Sequence, residues 1–497
     1  MRIYDYQKQH IKGKLHAYER IELLLDKGSF HEIGSGIKNQ EASFGLERNR
    51  LPYDGVITGY GYMEGKLVCI YSQDFTIMGG TLGKQHGMKI AAVIKMAIKN
   101  RCPLIGINDS GGARIQEGIH ALAGYGEIFY YNTLASGYIP QITIIAGPCA
   151  GGAVYSPGIT DFIFTIDEIS NMFVTGPKVI KSVTNEIVTE QELGGSSAHS
   201  TKSGVAHFRY SSEKDCFKGV RRLLGLLPHN CDSADNSSVR YREKKQDLLN
   251  HILPEHKNKV YDMKHIIDCL LDKSSFMEVQ SEFADNIIIG FGRLSGITVG
   301  IVASQPYHLA GVLDCDASDK AARLIRYCDC FDVPIITLTD VPGFLPGIDQ
   351  EYKGIIRHGA KLLYAYSEAT TTKINVIIRK AYGGAYIAMS SKHLRTDFVY
   401  AWPNAEIAVM GAEAAVELLH GKAARNLPPD ERREFMMRKQ EEYRTHYMNT
   451  EIGLNNGYID EIIQPDKTRR RLFEDILSLR GKREYLKVNK KHGNMPL

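Results

Sequence analysis

Two segments of this chain end an apolar run in Gly-Gly-Ala. The first runs from Pro140 through Ile142, Ile144 and Ile145 to Gly151, Gly152 and Ala153. The second runs from Lys373 through Ile374, Val376 and Ile377 to Gly383, Gly384 and Ala385. A short apolar run reads as a buried strand. Glycines placed directly after it let peptide N–H groups come close to a ligand in dihedrals that other residues avoid. If a helix starts there, its unpaired N–H groups and its dipole favour negative charge. The chemistry on offer is stabilisation of an oxyanion. Loss of one preorganised donor in such a site costs about 3–4 kcal/mol. A single Gly-Gly could equally serve close packing of a helix on a strand; two copies in one chain point to two sites.

Side-chain chemistry is less well supported. Ser110 precedes Gly111 and Gly112, and Ser156 lies near Gly152, but neither stands in Gly-x-Ser-x-Gly, and no His-Asp partner set is recognisable. His86, His120 and His207 are scattered and read as structural. The Gly59-Tyr-Gly-Tyr stretch is too weak for a dinucleotide fingerprint, and no Walker-type phosphate loop is present. Of 9 cysteines none forms Cys-x-x-Cys, and Cys328 and Cys330 are too close for usual zinc spacing. They read as reduced thiols of a cytosolic protein, and no metal is expected on this chain.

The elements that must hold the glycines come in two sets. Shifting the chain by 231 positions places Gly59, Gly61 and Gly65 on Gly290, Gly292 and Gly296. The same shift places Gly80, Lys89, Pro103, Asp109 and Gly112 on Gly311, Lys320, Pro334, Asp340 and Gly343. The register then slips by one, and Gly151-Gly152 meets Gly383-Gly384. Leu25-Asp-Lys-Gly-Ser-Phe30 resembles Leu271-Asp-Lys-Ser-Ser-Phe276 at a larger offset. This is a duplicated domain, sought as any internal repeat is sought. Within the first copy, residues 12–26 predict an amphipathic helix, 55–73 a hairpin around Glu64-Gly65, and 84–100 a helix. Pro103 to Asn108 and residues 140–146 predict buried strands. The alternation argues for a layered α/β fold.

A chain of 497 residues is too long for one ordinary core. With 43% hydrophobic and 24% charged residues it is globular in composition. A net charge of +4 gives no nucleic-acid footprint. The boundary between halves falls near 228–262, which is polar and turn-rich. Residues 421–447 predict one exposed charged helix, and the basic run Lys487 to His492 a surface arm. The N-terminus from Met1 to Lys8 has no apolar signal core, and no apolar run reaches membrane-spanning length, so a cytoplasmic protein without membrane insertion is expected.

At the glycine pairs the sequence resembles the carboxyltransferase (beta) subunits of biotin-dependent acyl-CoA carboxylases, especially the propionyl-CoA carboxylase beta type. The resemblance covers nearly the whole chain. Its motifs include Asn108-Asp-Ser-Gly-Gly-Ala-Arg114, Gly147-Pro-Cys-Ala-Gly-Gly-Ala153 and Thr201-Lys-Ser-Gly-Val-Ala-His207. Asp340-Val-Pro-Gly-Phe344, Arg379-Lys-Ala-Tyr-Gly-Gly-Ala-Tyr386 and the closing Lys491-His-Gly-Asn-Met-Pro-Leu497 belong to the same set.

The resemblance implies two tandem crotonase-like β-β-α superhelix domains, residues 1–245 on the acyl-CoA side and 246–497 on the biotin side. It implies a hexamer built as a trimer of dimers, with the active site between the N-domain of one chain and the C-domain of its dimer partner. Carried over by position, Gly151 and Gly152 serve the thioester enolate oxygen, and Gly384 and Ala385 the biotin ureido oxygen. Gly79, Gly80, Gly111, Gly112, Ala113, Gly383, Tyr386 and Ile387 are implied as substrate-binding, with Ile387 shaping the acyl pocket for a short group, acetyl or propionyl. Biotin arrives as carboxybiotin on a partner, and biotin carboxylase and the biotin carboxyl carrier are the implied partners. No side-chain base is then needed, because the decarboxylated biotin takes the α-proton and the enolate attacks CO2. Ala414, Thr81 and the segment His16-Ala-Tyr-Glu-Arg-Ile21 depart from the family pattern but touch neither glycine pair. Two alternatives stay open: the carboxyltransferase subunit of a sodium-pumping acyl-CoA decarboxylase, and a scaffold paralogue that keeps the fold without catalysis.

Overall fold

The apolar runs become strands, and the two halves of the sequence build the same sheet twice. The computed structural model describes residues 6–40, 46, 52–233, 239–244, 246–256, 259–482, 484 and 490–497. The first residues of the N-terminus and parts of the stretches 228–262 and 487–492 lie outside the described residues. The chain divides into two compact units, Met1–Ala234 and Asp235–Leu497.

In the first unit the strands are β1 (His31–Ile33), β2 (Val56–Met63), β3 (Lys66–Gln73), β4 (Leu104–Ser110), β5 (Gln141–Ala150), β6 (Phe162–Ile166), β7 (Asn171–Phe173) and β8 (Phe208–Tyr210). Their order across the sheet is β1-β2-β3-β4-β5-β6-β8, with β7 paired to β5. The pairings β1/β2 and β2/β3 are antiparallel and the rest parallel. The second unit has β9 (Met277–Val279), β10 (Ile287–Leu294), β11 (Ile297–Ser304), β12 (Ile335–Val341), β13 (Lys373–Tyr382), β14 (Phe398–Ala401), β15 (Glu406–Ala408) and β16 (Glu461–Ile462). Its order, β9-β10-β11-β12-β13-β14-β16 with β15 on β13, is the same. The helices Lys84–Asn100 and Ile119–Ala135 make the parallel crossovers of the first sheet, and Cys315–Cys330 and Ile355–Glu368 those of the second. These are two β-β-α units in tandem, as the resemblance implies.

The repeated Leu-Asp-Lys motif has a local cause. Glu64 and Gly65 turn β2 into β3 with φ of 52° and 74°, the positive values a two-residue hairpin requires. Their N–H groups donate to the Asp26 carboxylate at 3.1 and 3.0 Å. In the second unit Ser295 and Gly296 donate to Asp272 at 3.0 and 2.8 Å. Arg221 and Arg469 bind the same two carboxylates. The motif therefore clasps a hairpin from outside it. The repeated glycines Gly59 and Gly290 let β1 and β9 approach: a Cβ would lie 2.1 Å from the His31 carbonyl oxygen and 2.4 Å from that of Met277.

Some expected elements differ. The helix predicted over 12–26 is confined to Ala17–Leu24, because Gly13 takes φ of 69° and the His16 imidazole caps the helix start, accepting the Tyr18 N–H at 3.1 Å. The helix expected over 421–447 is two helices, Ala412–Ala424 and Pro429–Tyr447, since Pro428 and Pro429 cannot continue the first. The strand predicted to end at 146 runs on to Ala150. Each unit has its own apolar core. One includes Ile94, Ile128, Ile145 and Ile163, the other Ile301, Leu338, Val376 and Trp402.

Candidate active site

β5 ends at Ala150, and the next residues, Gly151–Val154, form a tight helical turn continued by Tyr155–Ile159. Gly151 has φ of 63°, left-handed, and is followed by right-handed residues. β13 ends at Tyr382, and the helix Gly383–Ala388 starts at once, with Gly383 at φ of 59°. A left-handed residue before a right-handed one turns successive N–H groups toward a common point, which makes a concavity for an anion. The first N–H groups of either turn have no acceptor inside it. A Cβ at Gly152 would meet the Tyr125 ring at 3.4 Å, and one at Gly384 the Phe344 ring at 3.8 Å, so an aromatic ring lies beside each turn.

The other residues named for the first site pack on one another, and Gly112 seats them against the end of β5. The loop after β4 seats against the end of β5: Gly112 has φ of 102°, and a Cβ there would stand 2.8 Å from the Ala150 carbonyl oxygen. Gly111 donates to the Gly79 carbonyl at 2.9 Å, and Gly80, with φ of 62°, passes so close to Asp109 that a Cβ would sit 2.1 Å from its carbonyl oxygen. Leu82 bridges Ala113 in parallel register, donating to Gly112 and accepting from Arg114, both at 2.9 Å. That geometry turns the Ala113 N–H away from Leu82. In the second unit Leu313 bridges Phe344 in the same way, with bonds of 3.0 and 2.7 Å through Gly343 and Leu345.

Gly383, Gly384, Ala385, Tyr386 and Ile387 all lie on the one short helix. Ala385 is buried, Gly384 and Ile387 are exposed, and burial pushes the Tyr386 phenol up to about 12. Sequence reasoning assigned no role to Phe344, although the shift of 231 positions carries Ala113 onto it. It also missed Arg114. This fully buried guanidinium binds Asp54 at 2.5 Å, Glu117 at 2.7 Å and the Thr81 carbonyl at 2.8 Å, joining the Gly79–Gly80 turn to the Gly111–Ala113 loop.

Near the first turn, Ser110, Ser156, His86 and Cys149 are occupied or inert. Ser110 accepts the Gly112 N–H at 3.2 Å, and Ser156 donates to Asn132 at 2.8 Å. His86 is buried between Gln73 and the Asp54 carbonyl, 3.1 and 2.8 Å away, and burial holds its pKa well below the usual range. Burial pushes the Cys149 thiol up to about 12, far from a reactive thiolate. Among the described residues no group of three or more His, Cys, Asp or Glu could hold a metal ion. What this arrangement can do is bind two oxyanions through backbone amides.

Comparison with known proteins agrees with that capacity. The family described as carboxyl transferase domain matches residues 8–495. The chain belongs to this family, and it is a carboxyltransferase. It is 50% identical over 493 residues to the propionyl-CoA carboxylase beta chain of Cereibacter sphaeroides, covering 99% of this chain and 95% of that one. It is also 50% identical over 499 residues to the methylmalonyl-CoA decarboxylase subunit alpha of Veillonella parvula, covering 99% and 95%. Among solved structures it is similar to the transcarboxylase 12S hexamer with hydrolysed methylmalonyl-coenzyme A bound, with a TM-score of 0.95 and 45% identity over 99% of this chain and 94% of that one.

Proposed function

We propose that this chain moves CO2 from carboxybiotin, carried by a partner protein, to the α-carbon of a short-chain acyl-CoA, propionyl-CoA or acetyl-CoA. The observation that carries the proposal is the pair of glycine-led turns at equivalent points of two like units. Gly151 and Gly152 offer N–H groups to the thioester oxygen as its enolate forms. Gly384 and Ala385 offer theirs to the ureido oxygen of biotin. Carboxybiotin, when bound, supplies the CO2 and, after losing it, the group that takes the α-proton. The chain's own part is to hold both oxygens against fixed donors and both reactants in reach of each other, which lowers the barrier without a side-chain base.

Gly79, Gly80, Gly111, Gly112 and Ala113 form the wall for the CoA thioester. Gly383, Tyr386 and Ile387 form the wall on the biotin side, and the apolar Ile387 suits a short, uncharged acyl group. Biotin carboxylase and a biotin carboxyl carrier are the partners, in the cytoplasm. The chain assembles as a hexamer in which the first unit of one copy works with the second unit of another. Among the described residues no helix is long and apolar enough to cross a membrane. Incubation of the purified chain with a carboxybiotin donor and propionyl- or acetyl-CoA yields methylmalonyl- or malonyl-CoA. A folded chain that forms neither product refutes the proposal.

The likeness to a methylmalonyl-CoA decarboxylase subunit supports a second reading, in which the same two turns run the transfer from a malonyl-type thioester to biotin. Supplying methylmalonyl-CoA and biotin together with each candidate set of partners separates the two by which set sustains turnover.

A further inference from the structure

The strands that carry the glycine pairs both overrun their neighbours, and at the same place. β4 and β5 pair Asn108 with Ile145 and next Ser110 with Cys149. β12 and β13 pair Thr339 with Ile377 and next Val341 with Ala381. Each ladder is therefore bulged, with extra residues on the glycine-bearing strand, and a bulge re-aims the chain that follows it. The residue facing each bulge is a buried aspartate, Asp109 or Asp340. Polar groups that a bulge removes from the ladder need other partners when buried.

The two units meet that need differently. In the second, Asp340 Oδ1 accepts the Lys380 N–H at 3.0 Å, and Oδ2 accepts Arg379 Nε at 3.0 Å and the Tyr261 hydroxyl at 2.8 Å. The bulged strand supplies two of the three donors itself. In the first, Pro148 stands where Lys380 does and has no N–H. Gly147 stands where Arg379 does, and a Cβ there would lie 1.9 Å from Asp109 Oδ1. The donors come from the N-terminal segment instead. Lys14 Nζ reaches Asp109 at 2.8 Å and Arg20 Nη1 at 2.9 Å. Arg20 Nη2 donates at 2.7 Å to the carbonyl of Ala146, inside the bulge, while Glu213 holds Nε at 2.7 Å.

We propose that Asp109 and Asp340 are positioning residues for the two oxyanion sites, and that Arg20 is the arm by which the N-terminal segment aims the Gly151 and Gly152 amides. Arg20 grips β5 at Ala146, where the strand leaves its neighbour, and so sets the path into Gly151. The inference rests on the reading of Gly151 and Gly152 as donors to the thioester enolate. A nitronate analogue of propionyl-CoA carries negative charge where the enolate does, and its binding to the full chain can be measured by calorimetry beside propionyl-CoA itself. Arg20→Lys keeps the charge but loses the fork to Ala146. It weakens the nitronate by about tenfold, the scale of a small misplacement, and leaves propionyl-CoA affinity unchanged, while Arg379→Lys leaves both affinities unchanged. Equal nitronate affinity in Arg20→Lys and the parent, or a parallel loss for both ligands, overturns the positioning role. If Arg20→Lys does not fold, Lys14→Met takes its place, with a smaller loss confined to the nitronate and the same refuting outcomes. A parent chain that does not prefer the nitronate removes the enolate reading itself, a result separate from either.

Discussion

In the proposed reaction the working groups are main-chain N–H donors, and they can be deleted one at a time. Gly152 and Gly384 both lie in the first turn of a helix, where proline is tolerated while its N–H is lost. Gly152→Pro and Gly384→Pro are each expected to lower transfer by about 10²–10³-fold with the oligomer intact on a sizing column. Unchanged turnover in both favours the scaffold reading. Residue-scale burial also makes a pH prediction. Lys320 is buried, donates to the Phe283 and Ile287 carbonyls at 2.6 and 2.9 Å, and is pushed down by burial from the ordinary 10.5 to about 8. Between those values the unfolded chain binds more protons than the folded one, so this lysine's contribution makes stability rise with pH across the window. Lys320→Met is expected to remove that rise in denaturant melts. The glycine pairs were legible because glycine announces a backbone need in one letter. Arg114 and Arg20 were not, because a buried arginine and a surface arginine look alike until the carboxylates around them are known.

At the scale of elements, the helix Lys84–Asn100 has its expected bounds and the hairpin at Glu64-Gly65 turns where expected, since both depend on local pattern. The helix expected from residue 12 starts late because its cap is a histidine, whose ring also lies 3.1 Å from the Asp74 carboxylate far along the chain. The bulges were invisible for a similar reason: they belong to pairs of strands. The close glycines offer a test of element packing. A Cβ at Gly290 would lie 2.4 Å from the Met277 carbonyl oxygen, and backbone cannot move aside as a flexible side chain can. Gly290→Ala is expected to destabilise the second unit by about 1–3 kcal/mol in chemical denaturation, and a neutral result refutes the required approach of β9 to β10.

At the scale of the whole molecule, each unit leaves large apolar side chains exposed just past its glycine loop. Ile119 follows Ala113 and is 76% exposed, and Tyr352 follows Phe344 and is 88% exposed. Apolar groups gathered beside a polar site mark a surface meant to be covered, and a second copy of the chain is the cover the hexamer proposal requires. Ile119→Glu and Tyr352→Glu are each expected to lower the mass seen by analytical ultracentrifugation, with the fold kept by circular dichroism; both remaining fully assembled counts against it. Sequence alone determined the duplication, the α/β class and the Gly-Gly-Ala pairs, because repetition, periodicity and glycine are written residue by residue. Only the tertiary structure decided what each strand leading to a pair rests on. Asp340 takes two donors from the bulged strand beside it, while Asp109 faces Pro148, which has no N–H, and Gly147, which has no side chain, and takes donors from Lys14 and Arg20. Two like turns thus stand on unlike supports, because a buried carboxylate must be satisfied by whatever the fold brings to it.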